Sequence, residues 1–542
     1  MSDKRRFTVN DVAKIKTISD VRISPDGSKV AFTVESMNLE ANKQDRDIYL
    51  VSTSSGEPVN LTKDGGSSSP RWSPNGSRIA FVSSKEGKTS IWLMDCGGEN
   101  RRRITDFEVS NASLGPTGES LCWSPDGSMI AFLASLEPVD RERKIKVVDR
   151  IMYKAFYGYS DMRRRHIFVV STLGYESPRQ LTFGDYDEHS LCWSPDGREI
   201  AFVSNRTGMD DFNMHTDLWA VSVKTGEIRR ITSTKGAEYN PAWSPKGDKI
   251  AYTARTRANT SNESTPEDAH VWVVNADGTE PRDLTLKLDR TCTAPHWTAD
   301  GGKILFTAPD RGRTMIYSVS PEGGEVAQLT TGNRTISLLS LAKEVDQIAY
   351  VSGDPTTPGE LYTMSLNGEE RRLTDLNAFL RDVCLSEPEE FWFESFDGTK
   401  IQGWLLKPKD FDPSNKYPAL LSIKGGPAGM GGYAFNVYHQ LPLAHGYVQF
   451  HINYRGSSGY GQAFSDASVG DMLGGDFRDN MAAVDHILKT RSYVDPERLG
   501  VWGGSYGGYL TNWTITQTDR FKAAVAISSI SNLFTQWGAS AI

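Results

Sequence analysis

"WSPDGSMIAF", Trp123–Phe132, decides how the first two-thirds of this 542-residue chain is read. Ser-Pro-Asp-Gly is turn chemistry: proline presets one central φ, and Asp-Gly supplies the next bend. The alternating apolar run after it has the two-residue period of a strand. The stretch recurs. "ISPDGSKVAF" begins at Ile23, "WSPNGSRIAF" at Trp72, "WSPDGREIAF" at Trp193, "WSPKGDKIAY" at Trp243 and a weaker "WTADGGKILF" at Trp297. The hydroxyl residues at the second position, Ser24, Ser73, Ser124, Ser194, Ser244 and Thr298, are 49, 51, 70, 50 and 54 residues apart.

A second signature follows each copy, from "DIYLVSTSSGEPVNLT" (Asp47–Thr62) to "ELYTMSLNGEERRLT" (Glu360–Thr374), and it occurs seven times. It reads as a hairpin around a glycine-containing turn. The seventh copy is preceded by "DQIAYVS" (Asp346–Ser352), a degraded form of the first motif. About four short strands per ~50 residues is the period of a propeller blade. The repeats therefore predict a seven-bladed β-propeller over residues 20–376, with the recurring tryptophan packed between neighbouring blades. The 70-residue gap holds an insertion, Glu137–Arg165, expected to emerge as a loop on one face.

Composition narrows the rest. A chain this long is expected to form about two to four domains. Hydrophobic residues make up 38% and the net charge is −8, so packed cores are expected and a nucleic-acid partner is not. The runs Arg101–Arg103 and Arg163–Arg165 are flanked by acids and read as solvated faces or ion-pair partners. No apolar stretch is long enough for a membrane span, and no secretory signal opens the chain. Cys96, Cys122, Cys192, Cys292 and Cys384 are scattered and odd in number, which argues against a disulfide framework or a metal knuckle. A cytoplasmic protein without cofactor or metal is the expectation.

From about Cys384 the period changes. "FWFESFDGTKIQGWLLKP" reads as a hairpin turning at Asp397-Gly398, and "YPALLSIKGGP" as a buried strand ending at Gly425, Gly426 and Pro427. "GGDFRDNMAAVDHILKTR" spaces Phe477, Met481, Val484, Ile487 and Leu488 as one face of a helix. "ERLGVWGGS" is a strand, "YGGYLTNWTITQ" a helix and "KAAVAISSI" another strand. Strands alternating with helices imply a largely parallel sheet. In that setting the G-x-S-x-G of Gly503, Ser505 and Gly507 is the strand–turn–helix elbow that presents a serine nucleophile in an α/β-hydrolase. Read alone, the same letters are an ordinary glycine-rich turn. The Tyr506 amide would open the helix and face a developing oxyanion, and the "KGGP" loop is placed to supply a second amide, from Gly426.

Propeller repeats followed by "IKGGPAG", "NYRGSSGYG" and "GGSYGGY" resemble the prolyl oligopeptidase family of serine peptidases, on its acylaminoacyl-peptidase-like branch. The resemblance covers essentially the whole chain. It implies a propeller capping an α/β-hydrolase domain over 385–542, with residues 1–19 packing against the hydrolase. It implies a site between the domains reached by short peptides, N-acylated ones included, with Ser505 as nucleophile and Gly426 and Tyr506 as oxyanion amides. Relatives carry histidine or tyrosine before the glycine pair; Lys424 stands here, so backbone amides are left to hold the oxyanion. Paired propeller glutamates that would hold a free N-terminus are not seen, which lowers a dipeptidyl reading.

In this fold the base and its orienting acid follow the serine in the order Ser, Asp, His. After Ser505 the only acid is Asp519, and no histidine follows. His451 falls in a strand expected to be buried and His486 on a helix, both read as structural. Asp471, Asp476 and Asp479 cluster around a helix start and read as a solvated face. The triad Asp and His are thus not in this chain. "FTQWGASAI" brings no terminal helix to cover the last strand, so the expectation is a C-terminally incomplete hydrolase domain, short by on the order of 100 residues, and nearly inactive as it stands. The leading reading is a serine peptidase; a propeller binding protein with a vestigial hydrolase domain and an esterase are the alternatives.

Overall fold

The computed structural model describes residues 4–105, 109, 118–135, 150–151, 154–155, 158–159, 163–174, 177–258, 266–366 and 368–539. Seven four-stranded antiparallel blades follow one another from Thr17 to Arg372. Blade 1 takes Thr17–Ile23, Lys29–Asn38, Lys43–Ser52 and Val59–Asn60; blade 7 takes Thr335–Leu341, Gln347–Asp354, Thr357–Ser365 and Glu370–Arg372. Blades 6 and 7 are additionally stitched by one parallel pairing, Thr314 with Thr335. Most of the insertion after blade 3's second strand lies outside the described residues. Its Arg150 and Arg164 pair with Asp187 and Asp210 of blade 4.

Each repeat letter has a partner. The closing threonine of the second signature accepts a hydrogen bond from a backbone N–H of its blade's third strand. Thr62, Thr105, Thr182, Thr232, Thr285, Thr330 and Thr374 do this at 2.8–3.0 Å, and every one is buried. The turn glycines Gly27, Gly76, Gly127, Gly197, Gly247 and Gly301 hold φ of 66–74°, a conformation that favours glycine. The tryptophans do bridge blades: Trp72, Trp123, Trp193 and Trp297 donate through Nε1 to the carbonyls of Arg22, Arg71, Cys122 and Ala242 in the preceding blade. Trp243 keeps the position but its Nε1 has no partner. Blade 1 meets blade 7 side by side, with Ile18, Val21, Phe32, Ala349, Val351 and Leu361 in one apolar cluster.

The last third folds as a six-stranded sheet. Its strands are β1 (Glu389–Glu394), β2 (Lys400–Leu406), β3 (Tyr417–Ile423), β4 (Val448–Asn453), β5 (Val494–Gly504) and β6 (Phe521–Ile527). The spatial order is β1-β2-β4-β3-β5-β6, parallel from β4 through β3 and β5 to β6. Helices α1 (Val437–Ala444), α2 (Gln462–Asp466), α3 (Gly475–Thr490), α4 (Tyr506–Gln517) and α5 (Leu533–Ala539) accompany it. β4 is buried along its whole length, as a central strand requires. β6 lies at the edge with Val525 and Ile527 exposed, and α5 is a helix where the sequence suggested none.

The two modules meet along the turns between second and third blade strands. The Arg311-Gly312 turn of blade 6 packs so closely on the sheet domain that a Cβ on Gly312 would lie 2.3 Å from the Trp404 ring. Arg257 of blade 5 pairs with Asp466 of α2, and Gln462 donates to the Pro266 carbonyl. Arg5–Arg6 forms a short parallel pairing with Val383–Cys384, and Phe7 is buried against Leu380, Val383 and α1.

Candidate active site

β5 delivers the chain to Ser505, and α4 begins at the next residue. Ser505 has φ 54° and ψ −124°, a strained conformation for a residue with a side chain. Two hydrogen bonds hold it there: its N–H donates to the Ile527 carbonyl at 2.9 Å, and its own carbonyl accepts from Tyr509 N–H at 3.0 Å. The result is an exposed serine at the carboxyl end of the sheet, with α4 starting beneath it.

The surrounding glycines are dictated by close approach. A Cβ on Gly503 would sit 2.3 Å from the Gly507 carbonyl oxygen, and one on Gly507 would sit 2.1 Å from that of Ile423. One on Gly508 would meet Ser529 at 2.7 Å. No side chain fits at those separations, so α4 can pack onto β3 and β5 only if these positions are glycine.

The loop after β3 lies directly against this elbow. A Cβ on Gly425 would stand 3.3 Å from the Ser505 Cβ. Gly426 follows at φ 111°. The loop is pinned on several sides: Ser458 N–H donates to the Ala428 carbonyl, and the Asn453 amide bridges both backbone groups of Gly431. Blade 6 approaches it as well, with Gly312 N–H donating to Met430 Sδ. The structure thus brings Ser505, the Gly425–Gly426–Pro427 loop and the first amides of α4 together beside the propeller.

Two acids depart from the sequence reading. Asp471 is exposed, as expected of a solvated face, but Asp476 and Asp479 of α3 are fully buried. The helix turns them inward, toward the elbow and the loop after β4. Asp476 accepts from the Tyr506 hydroxyl at 2.5 Å and from Phe477 N–H, and burial raises its carboxyl above the usual range. Asp479 receives three donors from Arg455 and the Ser395 hydroxyl. Helical spacing alone does not say which face another element covers, so the sequence held no signal for either role. Lys424, half-buried beside the glycine pair, stands out in the sequence only as a departure from relatives.

Among the described residues no histidine hydrogen-bonds Ser505. His451 is buried on β4, stacked between Trp404 and His439, and desolvation drives its imidazole toward the neutral form. His439 falls to about 4 for the same reason. His486 stacks on Phe391 and Phe393. Asp519 is exposed in the turn after α4.

A propeller set over a mainly parallel sheet with a serine elbow is the architecture of a serine hydrolase. Residues 433–542 match the prolyl oligopeptidase family, residues 5–142 and 215–379 the TolB β-propeller domain, and residues 135–259 the N-terminal region of dipeptidyl peptidase IV. The uncharacterized peptidase YuxL of Bacillus subtilis is 32% identical over 99% of this chain and 84% of its own length. Dipeptidyl-peptidase 5 of Porphyromonas gingivalis is 27% identical over 96% of the chain and 78% of its own. Among solved structures, the acylaminoacyl peptidase of Pyrococcus horikoshii superposes with a TM-score of 0.83 at 25% identity, covering 98% of this chain and 80% of that one. The chain belongs to the prolyl oligopeptidase family of serine peptidases.

Proposed function

We propose that Ser505 is the nucleophile of a peptidase acting on short peptides, N-acylated ones among them. Its oxygen attacks the scissile carbonyl, the amides of Gly426 and Tyr506 receive the negative charge, the C–N bond breaks as the serine's proton is passed to the departing amine, and water hydrolyses the acyl-enzyme left behind. The observation that carries this reading is the strained Ser505 at the β5–α4 turn, packed against Gly425. Strain of this kind costs on the order of 1–3 kcal/mol and persists where the surrounding structure fixes it. The Arg311-Gly312 turn of blade 6 lies over the same loop, which supports access gated by the propeller. A solved acylaminoacyl peptidase holds Z-Gly-Gly-Phe-chloromethyl ketone, which supports a blocked peptide as the substrate class. The scattered, odd-numbered cysteines of the sequence are the ground for proposing a cytoplasmic location.

Removal of the serine proton needs a base, and no described histidine is bonded to Ser505. The triad Asp and His are inferred to be absent from this chain, leaving it a rate ~10³-fold over water from binding and oxyanion stabilisation. A fluorophosphonate tests both parts. Slow labelling at Ser505, abolished by Ser505→Ala, is the expected result. Rapid labelling overturns the missing base, and labelling that survives Ser505→Ala overturns the nucleophile. Paired N-acetylated and free-amine nitroanilides then measure the preference at the peptide's N-terminus.

A further inference from the structure

Lys424 is an expensive residue where it stands. It follows β3 at the mouth of the glycine loop, in a mainly apolar run, and among the described residues it forms no ion pair with a carboxylate. Its Nζ donates to the Pro427 carbonyl at 2.6 Å and lies 4.0 Å from the centre of the Tyr454 ring. Its own carbonyl accepts from the Tyr454 hydroxyl at 2.9 Å and abuts Gly507, where a Cβ would approach to 2.7 Å. A leucine or methionine would fill this space without the cost of desolvating an amine.

We infer that Lys424 is a positioning residue of the Ser505 site: its amine closes a clamp over Gly425 and Gly426, and its charge acts on an anion formed at Ser505. This rests on the nucleophile reading above. The clamp ties Lys424 to Pro427 across the two residues between them, one of which touches Ser505 and the other of which is the proposed oxyanion donor. Both protonation states keep an N–H for the Pro427 carbonyl, so the geometry survives deprotonation. The charge does not. Burial pulls Lys424 down to about 7, with Asp476 pulling the other way. The groups facing it are Tyr454 from the end of β4, Asp476 from α3 and, beyond them, Tyr506 from α4. Both tyrosines are pushed above their usual range by burial and stay neutral. Below pH ~7 the loop therefore presents a cation to a developing oxyanion, and above it a neutral amine.

The test uses the full chain and a fluorophosphonate, comparing wild type with Lys424→Met and Lys424→Arg from pH 5.5 to 9. Wild type should label Ser505 about tenfold faster than Lys424→Met at pH 6, with the gap closing above pH 7, while the Arg variant keeps a constant advantage over Met. Parallel pH profiles for wild type and Lys424→Met overturn the charge effect. Hydrogen exchange of the 424–431 amides tests the clamp without any labelling: several-fold faster exchange in Met, restored in Arg, supports it, and equal exchange overturns it. If wild type does not label at Ser505, the nucleophile reading fails, and the exchange comparison still decides the clamp.

Discussion

The propeller and the elbow are built by opposite strategies. In the propeller, one buried threonine, one turn glycine and one bridging tryptophan are used again and again, each fixing a contact that the next blade repeats. Trp243 can lose its Nε1 partner without losing its blade. In the sheet domain every contact at Ser505 occurs once. Gly503, Gly507 and Gly508 each occupy a space that no other residue can enter, Gly425 packs closely on Ser505, and Tyr506 has a single acid beneath it. Repetition spreads a fold's tolerance over many equivalent positions; a unique site concentrates it in a few.

That contrast orders the expected effects of substitution. Gly507→Ala places a methyl 2.1 Å from the Ile423 carbonyl oxygen and should cost the sheet domain about 3 kcal/mol or abolish its folding, read by urea denaturation followed in the hydrolase tryptophans. Tyr506→Phe removes the hydroxyl that satisfies buried Asp476 and should cost about 2 kcal/mol; adding Asp476→Asn should recover part of it, because the charge left unpaired is then gone. Thr330→Val unpairs the Ile316 N–H within one blade at about 1 kcal/mol, and Thr105→Val should cost the same in another, since the bond is repeated. Trp123→Phe loses its bond to the Arg71 carbonyl, whereas Trp243→Phe has no such bond to lose and should be the milder of the two. Equal effects of the two tryptophan changes, or a threonine change as costly as Gly507→Ala, would break the comparison.

The same contrast explains what could be read in advance. Turn chemistry and strand alternation are local, so "WSPDG" with its following run was legible six times over, and the second signature supplied the seventh blade even where the first had decayed. The elbow was legible because strand, serine and helix are contiguous. Asp476 and Asp479 were misread because their role depends on what packs over α3, and the helix over Leu533–Ala539 was missed because its short sequence has little periodicity. Lys424 looked like a mere substitution until its amine was seen against Tyr454 and the Pro427 carbonyl.

What this chain's sequence determined by itself is the number of blades, the order of strands and helices after them, and the serine at a strand-to-helix turn, because each is written in neighbouring residues. Tertiary structure alone decided that Ser505 lies against Gly425, that Asp476 holds Tyr506, and that blade 6 reaches the loop beside the serine. Those contacts join residues dozens to more than a hundred positions apart, and only the packed sheet and the closed ring bring them within a few ångströms.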